Sequence, residues 1–120
     1  MLSNNHKPTS EARIGIKSHN GVKFYDHSNI AYLQGFGRYT KIYFKNGKSE
    51  MVTKILKSFE DCLPENSFYR IHKSFLVNIN CIVELKINNC SFLILENGKK
   101  LEVAKRRKAE LYQKLSDWIV

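Results

Sequence analysis

The sequence predicts a mostly β domain: elongated antiparallel sheets of short strands joined by hairpins, with a mid-chain helix and a C-terminal helix. Three observations predict it. The dipeptides Asn20-Gly21, Asn46-Gly47 and Asn97-Gly98 each lie between short alternating segments, the pattern of two-residue hairpin turns that need positive φ at both central positions. Within Thr40–Lys45, Ile42 and Phe44 fall on one face and Lys41, Tyr43 and Lys45 on the other, so one face is expected in the core and the other is basic. Helical spacing is confined to two stretches.

In chain order, Met1–Glu11 is polar, holds Pro8 and reads as a flexible tail or linker remnant ahead of one domain over 12–120. Strands are expected at about Arg13–Ser18, Val22–Tyr25, Ile30–Gln34, Thr40–Lys45 and Glu50–Val52. Further strands are expected at Phe68–His72, Ile82–Lys86, Ser91–Glu96 and Lys100–Val103. Between the two groups, Thr53–Leu63 sets Ile55, Leu56, Phe59 and Leu63 at helical spacing, with Thr53 able to cap and Pro64 just past the end. Ala104–Ile119 sets Leu111, Leu115 and Trp118 along one stripe, which assigns it to packing over a sheet. A weak echo links TKIYFKNGKSEMV from Thr40 with SFLILENGKKLEV from Ser91, a pattern that independent hairpins also share.

The chain has 120 residues, 20 Lys plus Arg against 11 Asp plus Glu, a formal charge of +9 and 42% hydrophobic residues. That size supports one core and not two domains with a cleft between them. It contains no apolar span of about 18 to 20 residues and no signal-like block, so a cytoplasmic protein without membrane contact is expected. Cys62, Cys81 and Cys90 include no CxxC pair, which indicates neither a disulfide framework nor a thiolate metal site. The excess of positive charge calls for an anionic partner.

That charge is clustered. Arg38, Lys41, Lys45, Lys48, Lys54 and Lys57 face only Glu50 in one region, and Lys99, Lys100, Lys105, Arg106, Arg107 and Lys108 face Glu102 in another. Lysine at hairpin tips is ordinary on a solvated surface. Four consecutive cations at the start of a helix are not, because they oppose the helix dipole unless a phosphate accompanies them. A third region, FYRIHKSFLVNIN from Phe68, interleaves Arg70, His72, Lys73, Ser74, Asn78 and Asn80 with large apolar residues. If its strand ends at His72, Lys73 and Ser74 occupy a turn on a rigid scaffold, where a lysine can donate to guanine and a serine to phosphate.

Enzyme chemistry finds no support. His6, His19, His27 and His72 form neither an HExxH pair nor a zinc spacing with the cysteines, and the acids are scattered apart from Glu60-Asp61. Gly35 and Gly37 flank Phe36 between two strands, which suits a bend or bulge and not a phosphate loop. No catalytic residue, metal or cofactor is expected.

The segments GRYTKIYFKNGK from Gly37, VTKILKSFEDCLP from Val52, FYRIHKSFLVNINCI from Phe68 and LENGKKLEVAKRRKAEL from Leu95 resemble the LytTR domain, the DNA-binding domain of the LytR and AgrA response regulators of bacteria. The resemblance spans roughly 12–115. It implies an elongated β fold in which loops, instead of a recognition helix, enter successive major grooves. It also implies base contacts at Tyr39 or Thr40, at Lys73 and at Arg106, with His72 and Asn78 supporting loops. Phosphate contacts are then expected from Arg38, Lys41, Lys45, Lys48, Ser74, Lys99, Lys100, Lys105 and Arg107. Position 73 is Lys where the family also has Asn or Arg, and Ala104-Lys105 stands where Ser-Arg is usual.

The expected function is therefore sequence-specific binding of double-stranded DNA by a transcriptional regulator, as the output domain of a two-component response regulator. The implied partners are duplex DNA with paired direct repeats and an upstream receiver domain or sensor kinase pathway, the isolated domain being monomeric off DNA. The alternative is a single-stranded nucleic-acid (RNA) module that stacks bases on Tyr25, Tyr32, Phe36, Tyr39 or Tyr43.

Overall fold

A computed structural model describes residues 13–87 and 90–120; the expected tail, Met1–Glu11, lies outside them. Among the described residues ten strands run as β1 Arg13–Ser18, β2 Gly21–Asp26, β3 Ile30–Phe36, β4 Tyr39–Phe44, β5 Ser49–Val52, β6 Phe68–His72, β7 Phe75–Asn78, β8 Ile82–Lys86, β9 Phe92–Leu95 and β10 Lys100–Glu102. The helices are α1, Leu56–Cys62, and α2, Lys108–Leu115. The strands form a two-stranded hairpin β1-β2, a five-stranded sheet β5-β4-β3-β7-β6 and a three-stranded sheet β10-β9-β8, and all their pairings are antiparallel.

The five-stranded sheet is covered on both faces. Leu33, Ile42, Leu76 and Phe68 pack beneath α1 (Leu56, Phe59) and Ile16 of the β1-β2 hairpin. Tyr32, Val77, Tyr69 and Ile71 pack against Leu93, Leu95, Leu101 and Val103 of the three-stranded sheet and against Leu111 and Leu115 of α2. This corrects the expected basic face of β4, because Tyr43 stacks on Tyr32 with ring centroids 4.3 Å apart. It also explains why β7 escapes a period-two search. Phe75-Leu76-Val77 alternates between two cores, so it reads as a continuous apolar run.

Both helices are shorter than their periodicity suggests. Residues 53–54 bend away from the sheet edge and Ile55 is extended, so α1 starts at Leu56 with no side-chain cap and Thr53 does not serve as one. Ile55 is left 49% exposed. Gly35 admits this packing, since a Cβ there would come within 3.2 Å of the Leu56 Cβ. At the other end Lys105–Arg107 forms a 3₁₀ turn, α2 covers the sheet with Leu111 and Leu115, and a second 3₁₀ turn from Ser116 leaves Trp118 62% exposed.

The expected two-residue Asn-Gly turns take other forms. In the β1-β2 hairpin Ser18 pairs with Gly21, so His19 and Asn20 form the tip. At the other two the loop has three residues, with glycine at φ 88 (Gly47) and φ 86 (Gly98), as in a turn followed by a left-handed residue. These two hairpins are alike in detail. Phe44 N donates to Lys48 O and Leu95 N to Lys99 O, while Asn46 and Asn97 accept from Lys48 N and Lys99 N through their side chains. Upstream, Lys45 N donates to Asn29 O and Glu96 N to Cys81 O, and both strand sets follow a 3₁₀ turn capped by Asp26 or Asn78. The echo therefore extends from that turn through three strands.

Candidate nucleic-acid interface

Strand order decides which turns meet. Phe36 pairs with Tyr39, leaving Gly37-Arg38 as a two-residue turn with Gly37 at φ 62. His72 pairs with Phe75, leaving Lys73-Ser74 as another. Because β3 pairs with β7 through Gln34 and Phe75, the two turns lie side by side, and Gly35 N donates to Ser74 O at 2.9 Å. A third element joins them where Ala104 N donates to Ile71 O at 2.7 Å, bringing the turn Lys105–Arg107 to the end of β6. Arg38, Tyr39, Lys73, Lys105 and Arg106 are all exposed at this end. Among the described residues the four cations here have no carboxylate partner.

The Lys73 turn is held from below. Arg70 Nε donates to His72 O at 3.0 Å, its guanidinium also donates to Lys73 O, and its Nη1 meets Glu60 Oε1 of α1 at 2.7 Å. His72 Nδ1 accepts from Ser74 N at 3.1 Å, which leaves Nε2 facing Glu102 Oε1 of β10 at 3.9 Å. One planar fork thus fixes two carbonyls and one helix, a task for which lysine lacks the geometry. Sequence reasoning singled out Arg70 among the polar residues of this run but gave it no role, since no local pattern marks a fork that bonds its own turn and a distant helix.

This geometry corrects one expected base contact. Thr40 is fully buried and its hydroxyl donates to Lys54 O at 2.7 Å, so it has no access to a base. Lys45, Lys48, Lys99 and Lys100 sit at the two Asn-Gly tips, at the ends of their strands remote from Arg38 and Lys105, and the Lys100 Nζ lies 4.0 Å from the Phe92 ring centroid. They do not join the other cations. Asn78 holds the opposite end of β7, donating to Ile30 O at 2.9 Å and accepting from Asn80 N at 3.0 Å, so the loop it braces is the turn 79–81. Lys41 is half-buried over the Tyr43 ring. Arg107 is also half-buried, beside the Tyr69 hydroxyl. That hydroxyl donates to Glu110 of α2, and burial, then Glu110, push its pKa up to about 12.

Among the described residues no His, Cys, Asp or Glu group could hold a metal ion, and no helix is long and apolar enough to cross a membrane. Cys62 and Cys90 are exposed and Cys81 is buried, all three as free thiols.

The profile of the LytTr DNA-binding domain matches residues 20–116. The sensory transduction protein LytT of Bacillus anthracis is 36% identical over 74 residues, which are 59% of this chain and 30% of that protein. Its namesake in Oceanobacillus iheyensis is 37% identical over 60 residues, 50% of this chain and 24% of that protein. The chain thus spans less than a third of these relatives. Among solved structures, the LytTr DNA-binding domain of a putative methyl-accepting/DNA response regulator from Bacillus cereus superposes with a TM-score of 0.71 at 25% identity, covering 86% of this chain and 95% of that one. The family profile covers most of the chain and the backbone superposes on a solved LytTr domain, and the chain belongs to the LytTr DNA-binding domain family.

Proposed function

We propose that this DNA-binding domain reads duplex sequence with the three turns at one end of its sheet, as the output domain of a response regulator that controls transcription. The observation that carries this reading is the backbone linkage of those turns, through Gly35 to Ser74 and Ala104 to Ile71, because base readout needs donors held in fixed mutual register. Tyr39, Lys73 and Arg106 are the base-contacting residues. Arg38, Lys41, Ser74, Lys105 and Arg107 face phosphates, while Arg70 and His72 keep the central turn in shape. Paired direct repeats as the target, an upstream receiver domain and a monomeric state off DNA belong to the same proposal.

Selection from a random duplex library tests it. The expected result is a defined motif preferred by about 10³-fold or more over random duplex. Lys73→Ala should then cost about 1 to 3 kcal/mol on that motif and flatten one base position. Equal affinity for selected and random duplex overturns sequence reading. Preference for single strands would instead favour base stacking, although Tyr32 and Tyr43 are committed to each other and Tyr25 stacks on Phe44.

A further inference from the structure

Leu101 and Val103 of the β10 segment are buried in the core shared with β6 and β7, while Glu102 between them is exposed. Two residues later Ala104 N donates to Ile71 O. That bond brings Glu102 alongside the end of β6, where its Oε1 lies 3.9 Å from His72 Nε2. Lys105 and Lys108 line a cavity of about 150 Å³ together with Glu102, yet among the described residues neither forms an ion pair with it. The carboxylate is paired with the imidazole.

The other side of that ring holds the base-reading turn. Ser74 N donates to His72 Nδ1 at 3.1 Å, so Nδ1 carries no proton and, in a neutral ring, the proton sits on Nε2, facing Glu102. The opposite tautomer would set an N–H against the Ser74 N–H and break the bond. A carboxylate beside Nε2 favours the first tautomer, because the ring then aims the positive end of an N–H dipole at a negative charge. At 3.9 Å this is attraction through space and not a direct hydrogen bond. The His72 side chain is 23% exposed and lies against the Phe75 ring, centroids 5.5 Å apart, so water screens the attraction only in part. Arg70 secures the carbonyl side of the turn. His72 secures its amide side, and only while Nδ1 stays an acceptor.

We propose that Glu102 is a positioning residue for base reading: through the His72 ring its carboxylate holds the Ser74 amide, and with it the turn that presents Lys73. Because Glu102 belongs to the strand that leads into Lys105–Arg107, the same contact keeps the Lys73 and Arg106 turns in mutual register. The proposal rests on base reading by Lys73.

Glu102→Ala, Lys73→Ala and the double variant, each bound to the selected duplex and to random duplex at about pH 8, where imidazoles are neutral, test it. Removing an exposed carboxylate near a duplex favours both DNAs alike, so the ratio of the two affinities is the measurement. Glu102→Ala should lower that ratio about 2- to 10-fold, the worth of one hydrogen bond, and broaden the selected motif at the base that Lys73 reads. In the Lys73→Ala background it should change the ratio no further. Nitrogen-15 shifts of the His72 ring should lose their single-tautomer pattern, and the Ser74 amide should exchange faster with solvent. Thermal melting checks the fold. A parent-like ratio for Glu102→Ala with Lys73→Ala impaired would overturn the positioning role and leave base reading intact. A lowered ratio with the His72 tautomer and Ser74 exchange unmoved would overturn it too, as would broadening at a base other than the Lys73 position, which would make Glu102 a direct base contact. Parent-like behaviour of Lys73→Ala would sink the base-reading assignment itself.

Discussion

At the scale of single residues, Arg70 couples stability to recognition. Its side chain is 16% exposed, that of Glu60 29%, and its removal frees the carbonyls of His72 and Lys73 together with the Glu60 carboxylate. Arg70→Ala is expected to lose about 1.5 to 3 kcal/mol of stability. Arg70→Lys should keep part of the Glu60 attraction but release the carbonyls. Its selected motif should broaden at the Lys73 position even where its urea midpoint is nearly restored. Unchanged motifs from both variants would show that the turn holds itself. Thr40 and Ser91 make a second pair, at equivalent places in the two similar strand sets. The Thr40 hydroxyl donates to Lys54 O, whereas the buried Ser91 Oγ has no partner among the described residues. Thr40→Val should therefore cost about 1 kcal/mol, and Ser91→Ala should be neutral or stabilising by about 1 kcal/mol. Denaturation midpoints at constant slope measure both.

At the scale of elements, a hydrophobic stripe announces a helix but not where the surface it covers ends. Leu111, Leu115 and Trp118 share one helical stripe in the sequence, yet Leu111 is fully buried, Leu115 is 8% exposed and Trp118 is 62% exposed. Leu111→Ala should cost about 2 to 5 kcal/mol, while Trp118→Ala should stay within about 0.5 kcal/mol; guanidinium melts separate them. Strands show the complementary effect. Those with one solvated face or a flanking Asn-Gly were legible, because turn chemistry and alternation are local. β7 was not, since a strand buried on both faces loses its period. The Gly37-Arg38 turn was read as a bend or bulge, although two glycines so close to a GR motif were the available signal for a hairpin.

At the scale of the whole molecule, strand order partitions the net charge of +9. One end of the 47 × 32 × 26 Å body carries Arg38, Lys73, Lys105 and Arg106, while Lys45, Lys48, Lys99 and Lys100 sit at hairpin tips away from it. If six to ten phosphates are contacted, duplex affinity should fall about 10³- to 10⁵-fold between 50 and 200 mM salt. Lys105→Ala should reduce that slope by about 1, and Lys48→Ala should leave it unchanged. A slope that responds equally to both would mean that charge acts without regard to position.

By itself, the sequence determined the fold class, most of the strands, the positions of both helices and the three basic regions, because alternation, glycine turns and charge runs are properties of neighbouring residues. Only the tertiary structure decided that Thr40 is inside, that Arg70 braces the Lys73 turn and that the hairpin-tip lysines stand apart. Those outcomes depend on which strands become neighbours. The order β5-β4-β3-β7-β6 is set by how two cores share the faces of one sheet, which no short window of sequence contains.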